Sequence, residues 1–184
     1  MRKLKVEELG RADVASFQKM DKIPLIAVLD NIRSFHNIGA FFRTADAFRL
    51  KAIYLVGISP RPPHRDIEKT ALGATDSVAW SYFESPEDCI AALKVENIGI
   101  AVIEQTDEST PFEQFHWEGS PLAVVFGHEV FGVSQPFLDA ARHAFEIRQE
   151  GTKHSLNVSV CGGIVLHALF AQSRSTSSPG SREK

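Results

Sequence analysis

A succession of short apolar runs, each too brief for a helix and separated by segments of helical composition, constrains this chain more than any other feature. The runs are Leu25 to Leu29, Ala52 to Gly57, Ser77 to Tyr82, Ile98 to Glu104, Leu122 to Gly127 and Ala144 to Ile147. Strands that alternate with helices must be joined by crossovers, and crossovers lay down an α/β fold, a mostly parallel sheet with helices on both faces. Helices are expected over Asn37 to Arg49, which Asn37 can cap, and from Ser85-Pro86-Glu87-Asp88, where a serine precedes a proline and an acidic first turn. Two more are expected, from Ser134-Gln135-Pro136 and from about Leu156 to Ala171. Residues 1–23 read as a helical N-terminal extension, 24–171 as a single domain, and 172–184 as a polar tail without core-forming content. With 184 residues and 43% hydrophobic composition, there is material for one substantial core.

Composition then removes several function classes. Cys89 and Cys161 lie far apart and Cys161 falls in an apolar helix, so neither a disulfide framework nor a CxxC metal site is expected, and the cytoplasm is the expected compartment. The start MRKLKVEELG lacks the apolar centre of a signal peptide, and the apolar runs stop short of the ~20 residues of a membrane span, so a soluble protein is expected. A net charge of -3 argues against indiscriminate nucleic-acid binding, which rewards clustered Lys and Arg. Local basic patches remain, at Arg2, Lys3 and Lys5 and again at Arg61, His64, Arg65 and Lys69. A solvated charged surface is the bland alternative for each.

Ligands of open α/β sheets bind beyond the carboxyl ends of the strands, and three of those junctions are unusually rich. The first runs from Leu29 through Asp30, Asn31, Arg33, His36, Asn37 and Gly39 to Arg43. Arg43 interrupts a helix otherwise lined by Phe41, Phe42, Ala45, Ala47 and Phe48, and its permanent charge must reach solvent or an anion. The second, Gly127-His128-Glu129-Val130-Phe131-Gly132, ends a buried strand with two glycines around a carboxylate. It fits neither GxGxxG nor a P-loop, which weakens dinucleotide and triphosphate readings. The third runs from Ile147 through Gly151 to Ser155-Leu156-Asn157-Val158-Ser159. Helix capping accounts for Ser155 easily and for Asn157 less well.

In this order and spacing, the three junctions resemble the three motifs of the SpoU/TrmH family of SPOUT-class RNA methyltransferases. Asn37, Gly39 and Arg43 match the first motif; Gly127, Glu129 and Gly132 the second; Gly151, Ser155, Leu156, Asn157, Val158 and Ser159 the third. The segment Lys69-Thr70-Ala71-Leu72-Gly73-Ala74 also resembles a glycine-containing loop of the family. The chain departs from it at Arg148-Gln149, where Pro-Met usually follows the isoleucine, at the adenine end of the implied pocket. The resemblance, to the short tRNA-type subgroup, implies a single-domain SPOUT fold with a deep C-terminal trefoil knot, a homodimer, and S-adenosyl-L-methionine as cofactor. It implies RNA as substrate, tRNA before rRNA. Arg43, Asn37, Glu129, Ser155 and Asn157 would then form the reaction centre, with Arg43 close to the partner's site. Glu104, Gly127, Gly132, Ile147, Gly151 and Leu156 would hold the cofactor, and Arg33, Arg61, Arg65 and Lys69 would face RNA.

Methyl transfer to a ribose 2′-hydroxyl is an in-line displacement that needs orientation and a proton acceptor but no metal, and no metal-ligand spacing occurs in the sequence. No GxSxG elbow points to a hydrolase either. A free guanidinium titrates above ~12 and is a poor base, so Arg43 is expected to bind an RNA phosphate and stabilise the developing alkoxide. Two other classes remain open: a noncatalytic knotted RNA-binding relative, and a different nucleotide-binding α/β enzyme.

Overall fold

The structure, a computed structural model, describes residues 1–176. Seven strands form one sheet in the order β3-β2-β1-β6-β4-β7-β5, and every neighbouring pair is parallel. They are β1 (Ile23–Asp30), β2 (Leu50–Val56), β3 (Trp80–Phe83), β4 (Gly99–Ile103), β5 (Thr110–Pro111), β6 (Leu122–Phe126) and β7 (His143–Glu146). The helices are α1 (Val14–Lys19), α2 (Phe35–Ala47), α3 (Arg65–Ala71), α4 (Ala74–Ser77), α5 (Pro86–Val95), α6 (Gln135–Ala140) and α7 (Val158–Thr176). No helix among the described residues is long and apolar enough to cross a membrane.

The central strand shows why the sheet is covered on both sides. Leu25, Ala27 and Leu29 enter one core with Phe41, Phe42, Ile67, Leu166 and Leu169, while Ile26 and Val28 enter a second core with Cys89, Ile90, Leu93 and Phe137. Successive side chains of a strand point to opposite faces, so a wholly apolar strand demands two covers. Each fully buried large apolar side chain contributes roughly 1.5–3 kcal/mol, so neither helical layer is dispensable.

Several boundaries differ from expectation for local reasons. The expected strand from Ser77 begins at Trp80, because Leu72 and Gly73 adopt positive φ of 52° and 85°, which ends α3 and starts the turn of α4. Ser77 closes that turn, its hydroxyl bonded to Asp46 at 2.6 Å. The cap of α2 is Ser34, whose Oγ accepts from the Asn37 amide at 3.3 Å, so Asn37 is released from capping. The last helix continues past Ala171 through Thr176. Gln172 anchors it by accepting from the Trp117 amide at 2.6 Å and donating to the Phe115 carbonyl at 3.1 Å. Of the expected polar tail, 172–176 is therefore helical, and 177–184 lies outside the described residues.

Candidate active site

The carboxyl ends of β4, β6 and β7 and the start of α7 enclose a cavity of about 500 Å³. Its walls include Ile103, Phe126, Ile147, Leu156, Val158 and the glycine-bounded loop after β6. That loop requires both of its glycines. A Cβ on Gly127 would overlap the backbone of Gly132 and Val133. Gly132 sits at a φ of 71°, where its missing side chain leaves room for the Glu104 carboxylate. The loop is closed by reciprocal backbone bonds of 2.9 Å between His128 and Gly132. Buried His128 accepts the amides of Val130 and Phe131 through Nδ1 at 2.9 and 3.2 Å. Glu104 clamps the loop from β4, its Oε2 accepting the Val133 amide at 2.9 Å.

The three sequence junctions meet at one edge of this cavity. Asn37 donates through Nδ2 to Glu129 Oε1 at 3.0 Å, and the Arg33 amide donates to Glu129 Oε2 at 3.3 Å. Asn157 donates through Nδ2 to Asn37 Oδ1 at 3.2 Å, so 120 residues of sequence separation collapse into one contact. Burial pushes the Glu129 carboxyl up, but the amide of Glu129 itself, the Asn37 side chain and the amides of Arg33 and Ser34 outweigh it and hold the group below the ordinary glutamate range. Glu129 is therefore a fixed anion that orients Asn37. The capping expectation is reversed: Asn157 caps α7, its Oδ1 accepting the amides of Ser159 and Val160 at 2.9 and 3.2 Å. Ser155 is exposed and lines the cavity instead.

The other expected residues divide clearly. Glu104, Gly127, Gly132, Ile147 and Leu156 line the cavity, whereas Gly151 is exposed and outside it. At the divergent position Gln149 faces the cavity and Arg148 is exposed away from it. Arg43 stands apart from the cavity altogether. It is exposed on α2 beside Ala40, Thr44, Ala47, Lys69 and Gly163, and makes no hydrogen bond or ion pair among the described residues. Among the basic candidates, Arg61 lies 4.1 Å above the Tyr82 ring and Lys69 pairs with Asp66 at 2.6 Å, which leaves Arg33 and Arg65 exposed without a partner side chain among the described residues.

Sequence reasoning passed over Asp30, which is fully buried. Its Oδ2 accepts both the amide and the hydroxyl of Ser134 at 2.6 Å, and its Oδ1 accepts from Asn31 at 2.8 Å. Asn31, at a φ of 57°, in turn accepts the Ile58 amide at 3.1 Å. This network ties the ends of β1 and β2 to the start of α6. A carboxylate directly after a wholly apolar strand was its available signal, since such a charge must be paired. Cys161 also lines the cavity, and burial, then the Glu104 charge, pushes its thiol up to about 11, leaving it a poor nucleophile at neutral pH. No cluster of three or more His, Cys, Asp or Glu able to hold a metal occurs among the described residues.

Fold and site together define a parallel α/β domain with a glycine-walled ligand cavity at the carboxyl ends of its strands and an isolated arginine on a neighbouring helix. The chain belongs to the SpoU rRNA Methylase family, which matches residues 24–167. It is 30% identical over 167 residues to the 23S rRNA (guanosine-2′-O-)-methyltransferase RlmB of Vibrio parahaemolyticus, covering 90% of this chain and 66% of that protein. The chain thus spans slightly less than two thirds of that relative. The TrmH/SpoU tRNA modifying enzyme of A. aeolicus superposes with a TM-score of 0.78 at 25% identity, covering 88% of this chain and 81% of the other. The SpoU methyltransferase AviRb of Streptomyces viridochromogenes, solved in complex with AdoMet, has the same fold, with a TM-score of 0.77 at 18% identity over 89% of this chain and 65% of that one.

Proposed function

We propose that this protein transfers a methyl group from S-adenosyl-L-methionine to a ribose 2′-hydroxyl of structured RNA, and that it works as a homodimer. The observation that carries the reading is the meeting of Asn37, Glu129 and Asn157 at the edge of a cavity whose loop tolerates no side chain at Gly127 or Gly132. The cavity suits the cofactor: Ile103, Phe126, Ile147 and Leu156 offer apolar walls for an adenosine, and its polar edge offers groups for the amino-acid end. When bound, the cofactor supplies an electrophilic methyl on a sulfonium. The residues of the chain do the rest. Glu129 fixes Asn37, Asn157 links Asn37 to the start of α7, and Arg43 binds a phosphate beside the target ribose and stabilises the alkoxide that develops as the 2′-hydroxyl gives its proton to that phosphate or to solvent.

Arg43 needs a cavity that its own protomer does not present to it. On α7, Val160 and Ile164 are 53% and 45% exposed, and Gly163 of the same helix lies beside Arg43. An apolar strip next to an unpaired arginine is what a two-fold interface would cover, setting Arg43 against the partner's cavity. Substituting Ile164→Asp should give monomers by sedimentation equilibrium and abolish transfer while cofactor binding persists. The reading also carries the trefoil knot implied by the resemblance: after β7, α7 returns across the sheet to α2, where Gly162 meets the Phe41 ring.

Bulk tRNA and rRNA from cells lacking the protein, incubated with it and labelled S-adenosyl-L-methionine and then digested to nucleosides, test the reaction. Label in a 2′-O-methylnucleoside is expected. Label in a methylated base, or in no nucleoside of either RNA, overturns the reading. The two RNA pools together decide between tRNA and rRNA.

A further inference from the structure

We infer that Phe35 and His64 form a platform on which a nucleobase of the substrate RNA stacks, at the start of the helix that carries Asn37. The inference rests on the RNA methyltransferase reading for the identity of the ligand. The rings of Phe35 and His64 lie with centroids 4.0 Å apart and planes 27° from parallel. Phe35 covers one face of the imidazole and His64 is exposed, so a ligand would stack on the second face. The ring is also fixed in place: its Nδ1 accepts the Asp66 amide at 3.2 Å, making His64 the cap of α3. An exposed imidazole held by a cap and a stack has already lost the freedom that ligand binding would otherwise remove.

The placement of this pair follows from Gly39. A Cβ there would overlap Thr70 Oγ1 and the Ile67 carbonyl, so glycine lets α3 sit directly on the first turns of α2. Thr70 completes the contact by donating to the His36 carbonyl at 3.1 Å. The result sets His64 over Phe35, the first residue of α2, two positions before Asn37. The surrounding charge suits a phosphate-linked strand. Arg33 and Arg65 are exposed and unpaired among the described residues, Asp66 is neutralised by Lys69 at 2.6 Å, and Glu129 is engaged by Asn37 and the Arg33 amide. Aromatic faces interleaved with cations are the ordinary means of holding unstacked nucleotides, and stacking is indifferent to which base is present. The platform would take the base of a nucleotide flanking the methylated ribose.

Two substitutions separate the ring from the cap. His64→Asn keeps a capping acceptor and removes the ring, whereas His64→Phe keeps a ring and removes the cap. Binding of labelled oligo(U) and oligo(A) to the full chain by fluorescence anisotropy, with inorganic polyphosphate as a base-free competitor, gives the readout. His64→Asn should weaken both oligonucleotides at least about fivefold, the lower range of one lost base stack, with polyphosphate and S-adenosyl-L-methionine affinities unchanged. His64→Phe should retain oligonucleotide affinity. Equal weakening for oligonucleotides and polyphosphate, or wild-type affinity in His64→Asn, overturns the platform. Base-dependent binding without methyl transfer to any RNA would instead overturn the reaction and leave the platform standing.

Discussion

The cavity and the Arg43 face, both built from family motifs, are made in opposite ways. Around the cavity the motif side chains hold one another: Glu104 holds the loop after β6, His128 holds its tip, and Glu129, Asn37 and Asn157 form one chain of hydrogen bonds. Arg43 has neither a hydrogen bond nor an ion pair among the described residues and lies on an exposed helical face. A preorganised pocket spends no binding energy on ordering its own walls, whereas a free guanidinium is useful where it meets an anion supplied from outside. On the function proposed above, the first region would bind the cofactor and the second would carry the RNA-dependent chemistry.

The sharpest way to break that division is at Arg43. Arg43→Ala should lower methyl transfer by roughly 10²–10³, the usual loss of one group that stabilises transition-state charge, while cofactor affinity measured calorimetrically stays within about twofold. Arg43→Lys should rescue little, since a point charge does not reproduce a bidentate fork. Near-normal turnover in both variants would end the proposed role. The converse test is Gly127→Ala, which forces a methyl group into the Gly132 and Val133 backbone. It should destabilise the fold by about 1–3 kcal/mol and cost cofactor binding at least tenfold, an overpacking effect readable in thermal unfolding with and without ligand. Loss of RNA binding with intact cofactor binding would reverse the assignment of the two regions.

How much of this was legible in the sequence follows the same divide. The strands β1, β4 and β6 were readable because their apolar runs are uninterrupted, and the loop after β6 because its glycines and carboxylate follow that strand directly, whereas Glu104, Ile147 and Leu156 were legible only through the family resemblance. The short helices α3 and α4 were not, since seven and four residues carry too little periodicity and the break between them depends on two positive φ angles. The exchange of roles between Ser155 and Asn157 was hidden for a different reason. Either residue can cap, and only the tertiary contact of Asn157 with Asn37 selects the start of α7. The buried position of Asp30 likewise depends on Ser134, 104 residues away.

That selection predicts a smaller effect. Asn157→Ala removes both the cap and the bond to Asn37 and should cost about 1 kcal/mol of stability. Asn157→Ser retains a capping oxygen but is too short to repeat the Asn37 contact, so it should recover stability without recovering methyl transfer. If Asn157→Ser recovers methyl transfer together with stability, Asn157 serves the helix alone and the cavity edge is not organised through it.

The smallest effect belongs to Glu129 and acid pH. Its carboxyl is depressed in the folded protein, because the hydrogen bonds from its own amide, Asn37, Arg33 and Ser34 prevail over burial. A depressed carboxylate contributes stability that is fully present above the unfolded glutamate value of about 4.3 and is lost as pH falls through the lower folded value. Wild type should therefore exceed Glu129→Gln in stability by a constant margin from neutrality down to about pH 5, and the two denaturation curves should converge below about pH 4. Glutamine can still accept from Asn37, so the margin isolates the charge and not the hydrogen bond. Convergence at a pH above about 5 would mean that burial, not the amide cluster, governs Glu129, and the cavity edge would then lack the fixed anion that sets it apart from the open Arg43 face.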